Sequence, residues 1–344
     1  MKARTLVSLL VIVGLMLTFG MPAPVARAEK PLKAALLICS MAFPFFGAMI
    51  DGAKQAGKEF NVEVTPYDGE NKPGLQTSQV EDAIAAKYDV ILLNPVSAEA
   101  LVPAVKKANA AGIPVFSLDR DVVGGDRVCY IGTSNVKAAE EGAKTLLKAL
   151  EASGKSKPWR IVHLWGTPGA SSAMERSEGV HNVLDPLVKN NTVEMVADLT
   201  AQFNKPTGMK VMEDILATTS DIDAVITGND DMALGALEAL KGAAVKVGFP
   251  DGVIIVGFDA IDPAVAAVER GEMYVTVAQS PYVMGYWGVE ATAKYIREGW
   301  TPPPGTPVYE PTGGIFIKTP TVMILPFKQL VDSLTRTPSA LPSK

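Results

Sequence analysis

"VILLNPVSAEALVPAVKKANAAGIPVFSLDR", Val90 to Arg120, holds one complete structural unit. A β-rich run ending at Asn94 is followed by a helical stretch from Ser97 to Ala111, and "PVFSL" then resumes the β-rich pattern. Strand, helix and strand in that order form a βαβ unit, which builds a parallel sheet covered by helices. The same alternation extends toward the N-terminus through "KAALLIC" and Gly47 to Phe60, then "VEVTPY" and Lys72 to Ala86. A second series starts at Asn135, with strands at "RIVHLW", "VEMVADL", "DAVITG" and "VIIVGF" and helices such as Asp230 to Gly242 between them. The fold class expected is α/β, with two doubly wound parallel-sheet lobes rather than one very wide sheet.

The first residues read differently. Lys2 and Arg4 precede an uncharged apolar run from Leu6 to Phe19, and "PAPVARAEK" sets Ala26 and Ala28 at A-x-A spacing. This is the pattern of a secretory signal peptide over residues 1–28, too short to span a membrane. Its removal takes away three bases and no acid, so the formal charge moves from −5 to −8. An acidic exported chain is a poor partner for nucleic acid or an anionic membrane. The periplasm is the expected address, with no membrane insertion after cleavage. Cys39 and Cys129 end or sit within strands and are expected as two separate thiols.

In an open parallel sheet, ligands bind at the carboxyl ends of the strands. Those ends carry Cys39 and Ser40, Asn94, Asp119 with Arg120, Asn229 with Asp230, Asp259, and Gln279. A single polar strand end is unremarkable, since charges at such places are commonly solvated. Their repetition points to a pocket for a neutral, hydroxyl-rich ligand. Aromatic residues lie in the same layer: Phe43, Phe45 and Phe46 in "MAFPFFG", Phe203 in "TAQFNKPTG", and Phe258 before Asp259. Each phenylalanine alone would suit a core equally well. Together they offer flat slabs for the C–H faces of a sugar ring.

The motifs "FPFFGAMIDGAKQAG", "ILLNPVSAEAL", "GIPVFSLDR", "GNDDMALGALEAL", "IIVGFDA" and "VAQSP" occur in order along the chain. They resemble the periplasmic ribose-binding protein family, type I periplasmic binding proteins that serve as sugar-binding components of ABC importers. The resemblance implies two lobes joined by a three-segment hinge: residues 29–133 plus 280–308, and residues 134–279 plus 309–344. The hinge crossings are expected near Thr133 to Asn135, Gln279 to Pro281, and Pro302 to Thr312. It also implies that Asp119, Arg120, Asn94, Asn229, Asp259 and Gln279 bond sugar hydroxyls while Phe45, Phe46 and Phe203 stack on the ring. Hydrogen bonds to charged groups are worth about 1.5–3 kcal/mol each. The implied partners are a small neutral sugar or polyol and an ABC permease, and the chain is expected to be a monomer. Service to a chemoreceptor or sensor kinase is the alternative.

Three positions depart from the family pattern. Cys39 replaces a serine, Phe43 an asparagine, and in "SAMERSEG" Met174 stands where relatives carry a sugar-binding arginine. All three remove polarity, which suggests a ligand less hydroxylated than ribose, such as a deoxy sugar, a glycoside or a short polyol. Arg176 or a water filling the missing arginine's role is the competing reading.

Other function classes lack their parts. Of the chain's two histidines, His163 lies inside a strand and His181 in a solvated helix. No G-x-S-x-G, H-E-x-x-H, C-x-x-C or P-loop pattern occurs, and no G-x-G-x-x-G follows the first strand. Neither an enzyme, a cofactor nor a metal is therefore expected. "DGENKPGLQTSQ" lacks the alternating oxygen ligands and closing glutamate of a calcium loop. Asp230 and Asp231 suit a helix N-terminus, and Trp165 is expected to pack beneath the cleft.

Overall fold

The structure is a computed structural model that describes residues 30–301, 308–309 and 315–318. The signal peptide expected at residues 1–28 lies outside the described residues, as does most of the third hinge segment. In chain order the first series is β1 (Leu32–Ile38), α1 (Pro44–Glu59), β2 (Val62–Asp68), α2 (Pro73–Ala85), β3 (Val90–Leu93), α3 (Val102–Ala110), β4 (Val115–Leu118) and β5 (Tyr130–Gly132). The second is α4 (Asn135–Ser153), β6 (Trp159–Trp165), α5 (Ser171–Lys189), β7 (Val193–Thr200), α6 (Lys205–Leu216), β8 (Ala224–Thr227), α7 (Asp230–Gly242), β9 (Ile254–Asp259), α8 (Asp262–Glu269) and β10 (Val275–Ala278). Helix α9 (Pro281–Glu298) and strands β11 (Val308–Tyr309) and β12 (Ile315–Lys318) follow.

Two sheets result, ordered β11-β5-β4-β3-β1-β2 and β12-β10-β9-β8-β6-β7. The series β2-β1-β3-β4-β5 recurs as β7-β6-β8-β9-β10, so one doubly wound topology is used twice. Apart from β12, antiparallel to β10, the strand pairings are parallel. Burial explains the apolar strands: Ala34 to Ile38 of β1 are all inaccessible to solvent. Ala34, Leu36 and Ile38 pack with α1 and α9, whereas Ala35 and Leu37 face α2 and α3. A strand covered on both faces has no polar alternation to keep.

Helix starts depend on local chemistry. A proline occupies one of the first two positions of α1, α2, α3, α6, α8 and α9, where its missing N–H has no intrahelical partner to lose. Helix α3 begins at Val102, five residues later than the sequence pattern suggests.

The chain leaves the first sheet after Gly132 and enters α4, which packs on β8, β9 and β10. It returns after Ala278 through Gln279 and Ser280 into α9, which packs on α1 and on β3, β4 and β5. A third passage separates β11 in the first sheet from β12 in the second. Tyr309 pairs in the first sheet, one residue past the boundary expected at 308. Helices α1 and α9 meet at two glycines: a Cβ on Gly52 would stand 2.0 Å from Tyr282 O, and one on Gly285 2.0 Å from Met49 O. Across the gap between the sheets, Ala98 N donates to Gly169 O and Asp121 N to Ser171 Oγ, both at 2.8 Å.

Candidate ligand-binding site

The carboxyl ends of both sheets border one cavity of about 350 Å³, counting the open solvent at its mouth. The first sheet contributes Phe43, Phe45 and Phe46 from the β1–α1 junction and Asp119 and Arg120 from the end of β4. The second contributes Ser172 and Arg176 from α5, Phe203 before α6, Asn229 and Asp231 at the start of α7, Asp259 from β9 and Gln279 after β10.

Arg120 is 4% exposed, and its guanidinium carbon lies 5.8 Å from the Phe46 ring centre and 5.5 Å from that of Phe203. Aromatic rings from both halves thus hold the fork in place. Its Nε is 3.9 Å from Asp119 Oδ2. Nε and Nη1 are buried without a hydrogen-bond partner among the described residues. Buried donors left unpaired are costly, so they belong where an acceptor arrives.

Asp119 is fixed from behind. Asn94 Nδ2 donates to Asp119 Oδ2 at 3.1 Å and to Leu118 O at 2.9 Å, while its Oδ1 accepts from Cys39 N at 3.1 Å. Burial raises the Asp119 carboxyl above its ordinary range, and Arg120 and Arg176 oppose that shift.

Arg176 supplies the second guanidinium. Its Nε donates to Asn135 Oδ1 at 2.9 Å, and Nη1 donates to Gly228 O at 2.7 Å and Asp259 Oδ1 at 3.3 Å. The group lies flat on Phe258, 3.9 Å from the ring centre. Burial pushes the Asp259 carboxyl up to about 7 against the pull of Arg176, and the Asp119 charge adds to the rise. Gln279 Nε2 donates to Asp259 Oδ1 at 2.5 Å, and Gln279 Oε1 accepts from Thr133 Oγ1 at 2.7 Å. Asn229 caps α7 by accepting from Met232 N at 3.0 Å and donates to Phe203 O at 3.4 Å. Half of the hydrogen-bonding capacity of both amides is therefore spent within the protein.

Asp119, Phe203 and Asp259 hold φ of 60°, 55° and 112°. Positive φ is tolerated by aspartate near the left-handed region but is an outlier for phenylalanine, and such strain concentrates at functional sites. Gly166 makes room for Phe203, since a Cβ there would lie 2.1 Å from the ring.

Of the residues singled out in the sequence, Phe43, Phe45, Phe46, Asp119, Arg120, Phe203, Asn229, Asp259 and Gln279 come together around the cavity. Cys39, Asn94 and Phe258 do not line it. Cys39 and Asn94 are fully buried behind Asp119, and Phe258 lies beneath Arg176. Met174 requires a correction: it is 55% exposed and lies off the cavity, which Arg176 lines instead. The period of α5 explains this, since Ser172 and Arg176 are four residues apart on its buried face and Met174 points the other way. Ser172 and Asp231 were not anticipated. Asp230, by contrast, is structural, bonded to Thr276 Oγ1 and Ile261 N. Trp165 does not line the cavity. Cys39 and Cys129 are free and buried, their thiols pushed up by burial to about 11 and about 12.

Two facing α/β halves whose strand ends converge on one polar, aromatic-walled cavity define a ligand-clasping binding protein. The family model "Periplasmic binding protein domain" matches residues 34–299, and the chain belongs to that family, whose members are binding proteins and not enzymes. The ribose import binding protein of Haemophilus influenzae is 32% identical over 297 residues, 86% of this chain and 94% of that protein. The D-apiose import binding protein of Paraburkholderia graminis is 33% identical over 278 residues, 80% of this chain and 85% of that one. Among solved structures, the Caulobacter myo-inositol binding protein bound to myo-inositol superposes with a TM-score of 0.74 at 28% identity, covering 83% of this chain and 93% of that one.

Proposed function

We propose that this chain is the sugar-binding component of an ABC importer, exported to the periplasm by the leader at residues 1–28. Two lobes, residues 29–133 with 280–308 and 134–279 with 309–344, close on a neutral polyhydroxylated ring and present the closed form to a permease; Tyr309 joins the first lobe. Relatives named for ribose and D-apiose import support this reading, as does the myo-inositol-bound neighbour. The observation that carries it is the pair of guanidinia, Arg120 from one half and Arg176 from the other, facing three carboxylates in one cavity. Two cations already outnumbered by three carboxylates leave no surplus positive charge for an anion, which favours an uncharged ligand. Arg120 and Arg176 donate to ring and hydroxyl oxygens, Asp119 and Asp259 accept from hydroxyls, and the phenylalanines cover the ring faces. Closure is driven as far as the ligand prefers the closed state.

The expected shift to a less hydroxylated ligand rested on Cys39, Phe43 and Met174. Only Phe43 borders the cavity, so we propose a ring bearing its ordinary hydroxyls. A thermal-shift panel on refolded, ligand-free protein tests this with ribose, apiose, myo-inositol, deoxyribose, a methyl glycoside and a sugar phosphate. Saturable stabilisation by a fully hydroxylated neutral ring is expected. A response to the sugar phosphate alone overturns the neutral-ligand reading, and a largest response to deoxyribose or the glycoside restores the apolar one.

A further inference from the structure

The chain contains two histidines, and neither borders the cavity. They sit on different elements, His163 inside β6 and His181 on α5, yet both reach one carboxylate on β7. His163 Nδ1 lies 3.0 Å from Asp198 Oδ1, and His181 Nε2 lies 3.0 Å from Asp198 Oδ2. One ligand atom from each of the three residues can be chosen so that all lie within 4.8 Å of one another. The rings stand edge to face at 5.6 Å, so both nitrogens approach Asp198 without stacking.

The other nitrogen of His181 is also engaged. Its Nδ1 is 2.9 Å from Asp185 Oδ1, one turn further along α5. In a neutral imidazole a carboxylate partner keeps the proton on Nδ1 and leaves the lone pair on Nε2, the atom that faces Asp198. This arrangement, a carboxylate orienting a histidine whose far nitrogen is free to coordinate, is the one that tunes histidine ligands in metal sites. The contacts of 3.0 Å are a few tenths of an ångström short of the ~3.3 Å edge of a tetrahedron with bonds near 2.0–2.1 Å. They go to different oxygens of Asp198, and the three ligand atoms lie within 4.8 Å of one another, so a cation taking the place of the bridging protons draws them together toward that edge. His163 is 1% exposed and forms the floor, whereas His181 and Asp198 are each about one-third exposed and form an entrance from solvent.

We propose that His163, His181 and Asp198 bind one divalent first-row transition ion through two nitrogens and a carboxylate oxygen, with Asp185 orienting His181 and water completing the tetrahedron. The nitrogen donors select zinc, cobalt, nickel or copper over magnesium and calcium. The ion ties β6, the edge strand β7 and α5 together, and α5 also carries Ser172 and Arg176 to the cavity. The site itself is independent of what the cavity binds.

The test uses the exported protein without an affinity tag, stripped with a chelator and titrated with Co²⁺. Ligand-field absorption in the visible that saturates at one ion per chain is expected, with displacement by Zn²⁺ and a Zn²⁺-dependent rise in Tm that chelator reverses. His181→Gln and Asp198→Asn are expected to abolish the cobalt spectrum, and Asp185→Asn to weaken affinity about 10- to 100-fold. His181 is part-exposed, so its variant remains informative if changes at buried His163 prevent folding; circular dichroism of the metal-free variant checks this. Absence of the cobalt spectrum in the wild type, or equal zinc affinity in His181→Gln, overturns the proposal and leaves the cluster as an ion pair bridged by Asp198.

Discussion

Nη1 of Arg176 stands 3.3 Å from Oδ1 of Asp259, and the same nitrogen donates to Gly228 O while Nε holds Asn135. The guanidinium thus serves the protein along one edge and lies flat on Phe258. An ammonium is a point charge and cannot meet Asn135, Gly228 and Asp259 together. We predict that Arg176→Lys weakens ligand binding by at least about thirtyfold, in line with the 2–5 kcal/mol typical of truncating a buried charge pair. Isothermal titration calorimetry measures it, and wild-type affinity in the variant would remove Arg176 from the recognition set.

Asp259 makes the ligand-free protein sensitive to pH. Its carboxyl is raised from 3.8 to about 7, chiefly by burial. Between those values the native state holds a proton that the unfolded state has released, so stability falls as pH rises through the window and levels off above it. Asp259→Asn lacks this group. Its stability relative to wild type is expected to climb from about pH 4 to about pH 7, as read from urea midpoints at several pH values. A hydroxyl donating to the carboxylate favours the anion, so ligand binding near neutrality is expected to release a proton, seen as buffer-dependent heat. Parallel pH profiles for the two proteins would contradict this account.

Arg120 sets function against stability. Its Nε and Nη1 are buried without a partner among the described residues, between Phe46 and Phe203. Methionine fills much of the same space and brings no unpaired donor. Arg120→Met is expected to lower affinity by about a hundredfold or more, from two hydrogen bonds of ~1.5–3 kcal/mol each, while the ligand-free variant loses far less stability, because removing the unpaired donors offsets leaving buried Asp119 without its neighbouring cation. Calorimetry and denaturation of the same preparation decide the matter. Lost stability with retained affinity would make Arg120 a packing residue.

The architecture was legible because strands such as Ala34–Ile38 are buried on both faces and therefore lack polar alternation. The strand-end rule also picks out Asp119, Arg120, Asn229, Asp259 and Gln279, all of which line one cavity. What it lacks is side-chain direction. Asn94 and Cys39 end their strands as required, but Asn94 turns toward Cys39 N and Asp119 and stays behind the wall. Arg176 was discernible from helical period, since the buried face of α5 carries Ser172, Arg176, Gly179 and Val180. Matching "SAMERSEG" by register placed the arginine two residues too early. The positive φ of Phe203 has no signature in residue type, since a bulky side chain disfavours it.

Met174 provides a direct check on that correction. Exposed by 55% and on the face of α5 opposite Arg176, it has no route to the cavity. Met174→Arg is expected to leave ligand preference unchanged and to shift stability by no more than about 0.5 kcal/mol, as usual for surface positions. A changed ranking in the sugar panel would return position 174 to the site.

The closest helix contact of the first half limits what α9 tolerates. A Cβ at Gly285 would lie 2.0 Å from Met49 O and 3.1 Å from Ala53 N, both backbone atoms of α1 that cannot swing aside. Alanine is the better helix former, yet here its methyl must force α1 and α9 apart and loosen Met49, Met284 and Val289 in the core between them. Overpacking typically costs about 1–3 kcal/mol, and with backbone as the obstacle the upper end is expected. Gly285→Ala should therefore lower the urea midpoint markedly, and because α1 carries Phe45 and Phe46 to the cavity, a displaced α1 is expected to weaken ligand binding as well. Serine at this position is expected to cost about as much as alanine, since the clash comes from the first side-chain carbon. A variant as stable as wild type would mean that the helices do not approach this closely.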